Sequence, residues 1–271
     1  MYKFIGIDMD GTLLNNEHSI STENQAAIKN AKKHGVNVVI TTGRPFSGVE
    51  KFLDTLNMDS ENDFIIMYNG ALVIKASTKE IISESLISLD EVLALESFSK
   101  ELGVDIHVVT DQACISPYEN KYGRYEADLN YMDFVIQDFS TLDPKTKIYK
   151  VMFSKDESKL IPIFNKLPKN ICDKYELTMS APFYIDFLSK GVNKSSGIKV
   201  LTEYLNIQQN AVICIGDAGN DINMIEYAGL GVAMGNASLE LRSKADFITL
   251  NNDEHGVAHV INKFALIAKA V

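Results

Sequence analysis

Two aspartates with one residue between them follow an apolar segment near the start of the chain. Residues 2–7 are predicted to form a buried strand, and Asp8, Asp10 and Gly11 come directly after it. Because strand side chains alternate between faces, both carboxylates leave the strand end on the same side, and Gly11 permits a sharp turn. Such a pair suits Mg²⁺, which prefers oxygen ligands, or a nucleophile beside a general acid. A simple Asp-Gly turn after an edge strand is the alternative.

A second acidic cluster has the same design. Asp217, Asn220 and Asp221 follow the apolar residues 211–215, which are also predicted to form a buried strand. In a parallel sheet the carboxyl ends of all strands lie at one edge, where open α/β sheets bind their ligands. The two acidic clusters are therefore expected to converge, although about 200 positions separate them in the sequence. Taken alone, the second cluster also fits an ordinary loop.

Two further strand-edge signals could supply contacts to an anion. Thr42, Gly43 and Arg44 follow a predicted strand at residues 36–41, and a hydroxyl with exposed backbone N–H groups suits a phosphate oxygen. Lys194 stands at a predicted helix start, where a lysine is unfavourable to the helix dipole. The alternatives are a threonine that caps the next helix and an ordinary surface lysine.

Composition limits the classes of function. The 271 residues carry a formal net charge of −10, which argues against a nucleic-acid or anionic-membrane surface. The three cysteines lack the spacing of a zinc ribbon and are too few for a disulfide framework. Neither a signal peptide nor an apolar run long enough for a membrane span is recognised, so a cytoplasmic location is expected. An anionic substrate would need positive charge supplied locally.

The order of predicted elements indicates an α/β fold with an insertion. Apolar strands alternate with helices in the first third, which is typical of a parallel, Rossmann-type sheet covered on both faces. Residues 86–187 have a different pattern, with short and mostly antiparallel strands, and from Gly191 onwards apolar strands alternate with helices again. We therefore predict a discontinuous core of residues 1–85 and 188–271, interrupted by an α+β domain.

These motifs, in this order, resemble those of the haloacid dehalogenase superfamily of phosphotransferases. The resemblance is closer to its Cof-type group, which includes sugar phosphatases, and it spans the whole chain, including the insert. It implies a Rossmann-like core, an inserted cap domain over the site, and Mg²⁺-dependent phosphatase chemistry. The residues that carry it lie in the segments 8–12, 38–45, 68–72, 192–194, 216–221, 224–229 and 253–258.

The resemblance also implies roles for the acidic residues and the lysine. Asp8 is the expected nucleophile, and Asp10 is the expected general acid and base, with its backbone carbonyl on the metal. Asp217 completes the Mg²⁺ site, and Asp221 supports either the metal or Lys194. The expected metal residues are thus Asp8, Asp10, Asp217 and Asp221, and the expected catalytic residues are Asp8, Asp10 and Lys194.

Phosphate contacts are expected from the strand ends. The resemblance implies that Thr42 and Lys194 hold the phosphoryl oxygens and that Asn220 assists. Gly43 and Arg44 belong to the same predicted phosphate-binding segment. The expected partner is a small phosphorylated metabolite, with sugar phosphates ahead of pyridoxal phosphate and flavin mononucleotide. Neither nucleic acid nor membrane is expected as a partner, and the oligomeric state is not predicted.

Two other functions fit the same motifs. A phosphomutase would return the phosphoryl group to a sugar, and a non-catalytic metabolite-binding protein would use the scaffold without turnover.

Within the insert, residues 117–125 combine tyrosines with Lys121 and Arg124, side chains that can stack on a sugar or attract an anion. This segment is predicted either to set substrate specificity or to be a polar surface stretch whose tyrosines pack on their own domain.

Overall fold

The structure is a computed structural model that describes residues 1–266. The described residues divide into two units, each held together by its own contacts. The first contains residues 1–43, 50–83 and 193–266, and the second contains residues 44–49 and 84–192. The insert expected from the sequence, residues 86–187, lies within the second unit.

The strands are numbered in chain order. They are β1 Phe4–Ile7, β2 Asn37–Thr41, β3 Phe64–Met67, β4 Leu72–Lys75, β5 Ile81–Glu84, β6 Asp105–Thr110, β7 Ala113–Ser116, β8 Asp133–Ile136, β9 Ile148–Ser154, β10 Tyr175–Ala181, β11 Tyr184–Ser189, β12 Val212–Gly216, β13 Leu230–Ala233 and β14 Phe247–Ile248.

The helices are numbered in the same way. They are α1 Thr22–Lys33, α2 Phe46–Leu56, α3 Leu89–Leu102, α4 Lys121–Leu129, α5 Glu157–Phe164, α6 Lys169–Lys174, α7 Lys194–Tyr204, α8 Ile222–Tyr227, α9 Leu239–Lys244 and α10 Gly256–Val260. The sequence predicts a closing helix at residues 256–271. The structure shows α10 followed by a wider helical turn at Ile261–Ala265, and residues 267–271 of this prediction lie outside the described part of the chain. Within residues 1–266 we find no helix with the length and apolar character needed to cross a bilayer.

The first unit is built on a sheet of eight strands within the described residues, in the order β14-β13-β12-β1-β2-β3-β4-β5. All neighbouring pairs from β14 to β3 are parallel, as predicted, whereas β4 runs antiparallel to β3. The tight turn signalled by Asn69-Gly70 causes this reversal. In the centre, Ile7 lies opposite Ile40 of β2 and Ile215 of β12. The polar residues after these three strands therefore leave the sheet at one level.

The second unit contains a sheet of six strands within the described residues, in the order β10-β11-β9-β6-β7-β8. The strands are mostly antiparallel, with β7 and β8 parallel. Alternate residues of β6, β9 and β11 build the apolar core on one face, which includes Val108, Val151, Phe153 and Phe187. Helix α3 packs on this sheet and begins with a capping box formed by Ser88 and Glu91.

Residues 121–129, which overlap the polar segment at residues 117–125, form helix α4. The side chain of Asn120 caps it by accepting from the amides of Tyr122 and Gly123. The Tyr122 ring stacks on Phe183 and its hydroxyl donates to Asp156, while Arg124 forms two hydrogen bonds with the carboxylate of Glu119. These contacts within the second unit favour the second interpretation of the segment, tyrosines packed on their own domain.

The opposite face of the same sheet buries charged and polar side chains. Lys150 is 2% exposed, and its ammonium lies 2.9 Å from Glu126 and 3.8 Å from Asp186. Burial alone would lower the pKa of Lys150, but the two carboxylates raise it. His107 on β6 is fully buried, and neither ring nitrogen has a hydrogen-bond partner among the described residues. Burial, with a smaller contribution from Lys150, lowers the pKa of His107 from 6.5 to about 3.

The buried imidazole predicts acid sensitivity. Because the pKa of His107 is lower in the folded state, its neutral form contributes stability above about pH 6.5, and this is lost as the pH falls towards 3. Between about pH 7 and pH 4.5, the wild-type free energy of unfolding should fall by about 3 kcal/mol more than that of His107→Leu, measured by urea unfolding. His34→Gln, at an exposed site, is the control. If the free energy of unfolding fell equally in wild type and His107→Leu, His107 would not be the source of the acid sensitivity.

Candidate active site

The first acidic loop begins where β1 ends. The amide of Asp8 donates to the carbonyl of Ile215 at 3.0 Å, which keeps Asp8 aligned with β12. Gly11 has a φ of +74°, and a side-chain carbon there would lie 2.5 Å from a carboxylate oxygen of Asp217. The position therefore requires glycine for both its conformation and its close approach. Asp8 is buried, whereas the Asp10 side chain is exposed but near enough to raise the pKa of Asp8.

The second acidic loop is held together by Asp221, which is fully buried. Its Oδ2 accepts from the amides of Asp217 and Ala218, each at 3.0 Å. Asp217 in turn accepts a hydrogen bond of 2.8 Å from the Thr12 hydroxyl. Thr12 follows the first loop and Asp217 begins the second, so this bond joins the two clusters that the sequence analysis expected to converge.

Lys194 lies between the two acidic loops and is fully buried. Its Nζ is 2.5 Å from Asp8 Oδ1 and 2.6 Å from Asp221 Oδ1. It is the first residue of α7, and the side chain of Asn193 caps that helix in a reciprocal pair with Ser196. The alternative of a surface lysine is therefore wrong, because the ammonium pairs with two carboxylates in the interior.

The electrostatics of the cluster are dominated by crowded negative charge. Burial and the neighbouring carboxylate of Asp221 raise the pKa of Asp8 well above its ordinary value, and Lys194 opposes this only in part. Burial and Asp221 likewise raise the pKa of Asp217, to about 6. Burial alone would lower the pKa of Lys194, yet Asp221 and Asp8 raise it. Three carboxylates around one ammonium leave a net negative charge that a cation would relieve.

The donor set fits a divalent cation that prefers oxygen. One carboxylate oxygen from each of Asp8, Asp217 and Asp221 lies within 4.8 Å of the others. Carboxylate oxygens are the ligands that Mg²⁺ takes in phosphoryl-transfer sites. Among the described residues, the Asp10 side chain is not part of this group. The carboxylates of Asp8, Asp217 and Asp221 therefore suit the expected Mg²⁺, whereas the Asp10 carboxylate does not join them.

The phosphate-binding residues expected from the sequence lie on neighbouring loops. The Thr42 amide donates to Ile66 of β3, and the Thr42 carbonyl accepts from the Asn69 amide at 2.9 Å. The side chain of Asn220 donates to Asn69 Oδ1 at 3.1 Å. Thr42 and Asn220, which lie far apart in the sequence, are thus joined through Asn69, a residue of the segment 68–72 to which the sequence analysis assigned no role.

Arg44 is placed differently from Thr42 and Gly43. It groups with the second unit, is 6% exposed, and donates from Nη1 to the carbonyl of Gly48 at 3.2 Å. Its expected contact with phosphate stays a prediction.

Three supporting residues were missed. Thr12 bonds Asp217, Asn69 bonds Asn220, and Asn236 donates to the carbonyl of Gly11 at 2.8 Å. Thr12 and Asn69 lie in segments that carry the family resemblance, 8–12 and 68–72, but the sequence analysis assigned them no role. All three contacts span more than a hundred positions, so no local pattern indicates the partner.

Comparison with known proteins extends over the whole chain. A family model for haloacid dehalogenase-like hydrolases matches residues 5–261. The chain is 39% identical over 268 residues to the putative phosphatase YxeH of Bacillus subtilis, covering 98% of this chain and 99% of YxeH. It is 34% identical over 264 residues to the 5-amino-6-(5-phospho-D-ribitylamino)uracil phosphatase YcsE of the same species, covering 97% and 96%. The solved sugar phosphatase BT4131, of haloacid dehalogenase subclass IIB, matches with a TM-score of 0.82 and 25% identity, covering 98% and 100%.

The comparisons and the structure agree on the family. The structural match confirms the predicted α/β fold with a Rossmann-like parallel core. The two curated relatives cover almost the full chain and are named phosphatases or putative phosphatases. The family model includes every one of the strand-end residues that form the acidic cluster. The chain therefore belongs to the haloacid dehalogenase-like hydrolases.

Proposed function

We propose that the protein is a Mg²⁺-dependent phosphatase that hydrolyses small phosphomonoesters through an aspartyl-phosphate on Asp8. The observation that carries this proposal is the buried Asp8 carboxylate, 2.5 Å from the Lys194 ammonium and grouped with Asp217 and Asp221. A carboxylate fixed beside a cation at a strand edge is arranged to act as a nucleophile towards an anionic phosphoryl group.

The proposed reaction has two steps, which use the same residues. Asp8 attacks phosphorus while the bond to the leaving alcohol breaks, and Asp10 gives that oxygen a proton. Asp10 then takes a proton from water, which attacks the aspartyl-phosphate and releases phosphate and free Asp8. Lys194, Thr42 and Asn220 hold the phosphoryl oxygens during both steps. Bound Mg²⁺ would neutralise negative charge on the phosphoryl group and allow the anionic Asp8 to approach it.

The proposed metal residues are Asp8, Asp217 and Asp221, together with the backbone carbonyl of Asp10. Both oxygens of Asp221 already have protein partners, since Oδ1 accepts from Lys194 and Oδ2 from two loop amides. We therefore infer that Asp221 acts mainly by holding Lys194 and the Asp217 loop in place. Asp8 and Asp217 would then supply the direct carboxylate ligands.

Sugar phosphates are the proposed substrate class. The motifs of the chain resemble those of the sugar phosphatase YidA, and the structurally similar BT4131 is described as a sugar phosphatase. YcsE is named for a substrate that carries its phosphate on a ribityl chain, a reduced sugar. Phosphorylated polyols therefore belong with the aldose and ketose phosphates among the substrates to be tested first.

The test is phosphate release from a panel of metabolite phosphates, with Mg²⁺ and with excess chelator. The panel should contain sugar and polyol phosphates, pyridoxal phosphate, flavin mononucleotide and p-nitrophenyl phosphate. Mg²⁺-dependent release, fastest on sugar or polyol phosphates, is the expected result. Transfer of the phosphoryl group to a second sugar position without release would show a phosphomutase. Binding of metabolites with no turnover on any ester would show a non-catalytic protein.

The role of Asp10 predicts a dependence on the leaving group. A general acid contributes about 10²-fold to 10⁴-fold, but only where the departing oxygen needs a proton. Asp10→Asn should therefore slow the first step strongly on a sugar phosphate and much less on p-nitrophenyl phosphate, whose phenolate leaves without help. Single-turnover rates on the two substrates check this, with the aryl ester as the internal control. Equal losses on both would assign Asp10 another role.

A further inference from the structure

The turn between β3 and β4 has an unusual backbone. Tyr68, Asn69 and Gly70 have φ values of +49°, +55° and +100°, so three consecutive residues adopt positive φ. Two of them carry side chains, for which this conformation is unfavourable, although asparagine tolerates it better than most residues. Strained backbone of this kind persists where the surrounding structure holds it, and it is concentrated at functional sites.

Asn69 contacts two of the loops that the proposed mechanism uses for phosphate. Its amide donates to the Thr42 carbonyl at 2.9 Å, which fixes the end of β2 against the turn. Its carboxamide lies over Gly43, where an added side-chain carbon would be 3.1 Å from Oδ1. Oδ1 also accepts from Asn220 Nδ2 at 3.1 Å, across 151 positions of sequence. Asn69 is 1% exposed, so these contacts are made in the interior.

The same turn also approaches the lysine loop. A side-chain carbon on Gly70 would lie 2.1 Å from the carbonyl oxygen of Asn193, the residue before Lys194. The turn therefore lies against the Thr42 loop, the Asn220 loop and the start of α7. These are the three segments that supply Thr42, Asn220 and Lys194 to the phosphoryl group in the proposed function.

We propose that Asn69 is a positioning residue for phosphoryl binding, an inference that rests on the proposed function. The bond from Asn220 Nδ2 to Asn69 Oδ1 fixes the rotation of the Asn220 carboxamide. A primary amide has two N–H donors, and holding one of them directs the other. The backbone amide of Asn69, through its bond to the Thr42 carbonyl, fixes the position of the Thr42 loop relative to the turn. Asn69 thus sets the distance between two phosphate contacts without touching the substrate itself.

The test compares Asn69→Gly with a matched substitution elsewhere. Glycine tolerates positive φ, so the variant keeps the turn and its backbone amide but loses the carboxamide. Asn206→Gly is the control, because Asn206 also has a φ of +55° but is exposed and lies in neither loop. The readouts are kcat and KM on p-nitrophenyl phosphate with Mg²⁺, the inhibition constant of orthovanadate, and the melting temperature.

Asn69→Gly should lower kcat/KM and weaken orthovanadate about 10-fold to 100-fold, whereas Asn206→Gly should match wild type. Asn69 is proposed to act through Asn220. In a protein that already carries Asn220→Ala, adding Asn69→Gly should therefore lower kcat/KM by less than about 3-fold. If Asn69 had a purely structural role, Asn69→Gly would lower kcat/KM equally in wild type and in Asn220→Ala. It would also lower the melting temperature while orthovanadate affinity stayed normal.

A second variant keeps the test decisive if Asn69→Gly does not fold. Asn69→Ala also loses the carboxamide that accepts from Asn220 and keeps the backbone amide, so it should weaken orthovanadate as much as Asn69→Gly. Orthovanadate affinity equal to wild type in folded Asn69→Gly or folded Asn69→Ala would overturn the inference while leaving the phosphatase proposal intact. A wild-type protein with no turnover on the phosphoester panel would instead overturn the proposed function, on which the inference depends.

Discussion

Asp8→Asn should abolish phosphate release while leaving the fold intact. The amide oxygen can still accept from Lys194, but the carboxamide is not a nucleophile and cannot form the aspartyl-phosphate. Loss of a residue that forms the covalent intermediate costs about 10³-fold or more. Turnover of p-nitrophenyl phosphate and of the best metabolite in the panel, at saturating Mg²⁺, measures the loss.

The same variant should be at least as stable as wild type when chelator is present. Burial and the carboxylate of Asp221 raise the pKa of Asp8, which means that folding disfavours its charged form relative to its protonated form. A neutral amide removes that repulsion. Asp59→Asn, on an exposed residue, controls for the loss of one negative charge and should keep full activity. Turnover in Asp8→Asn at the wild-type rate would contradict the assignment of the nucleophile.

The convergence of the carboxylates at the strand ends is the feature of the site that followed from the sequence. Asp8 and Asp217 each follow a near-continuous apolar segment, and the parallel pairing of β1 with β12 brings such segments side by side. Local patterns in the sequence indicate the alternating faces of strands and the starts of helices. The strands and helices that they predict therefore lie close to the expected positions. The predicted convergence therefore needed only one assumption, that the strands are parallel neighbours.

The contacts that hold the site together could not be predicted in the same way. Thr12 with Asp217, and Asn69 with Asn220, join residues 205 and 151 positions apart, and each is a single bond between common residue types. The segment at residues 117–125 was also incompletely predicted. The sequence analysis described it as a polar stretch and predicted no helix there, but the Asn120 cap and contacts with β7 and β8 stabilise helix α4.

Lys194→Met should have the largest effect on stability. The ammonium is fully buried, 2.5 Å from Asp8 and 2.6 Å from Asp221. Methionine fills a similar volume but leaves two carboxylates buried and uncompensated. Breaking a buried ion pair by removing one partner costs about 3–5 kcal/mol. The free energy of unfolding in chelator should fall by about this amount, and phosphate release should be lost because the phosphoryl oxygens lose their lysine.

A double variant separates the loss of stability from the loss of phosphate release. Asp221→Asn added to Lys194→Met removes one of the two uncompensated charges, so it should recover part of the lost stability while activity stays absent. Mg²⁺ should also raise the melting temperature of Lys194→Met more than that of wild type, since a cation in the acidic cluster would replace some of the missing positive charge. A Lys194→Met protein as stable as wild type in chelator would show that the lysine does not compensate these carboxylates, and turnover in that variant would remove it from the proposed mechanism.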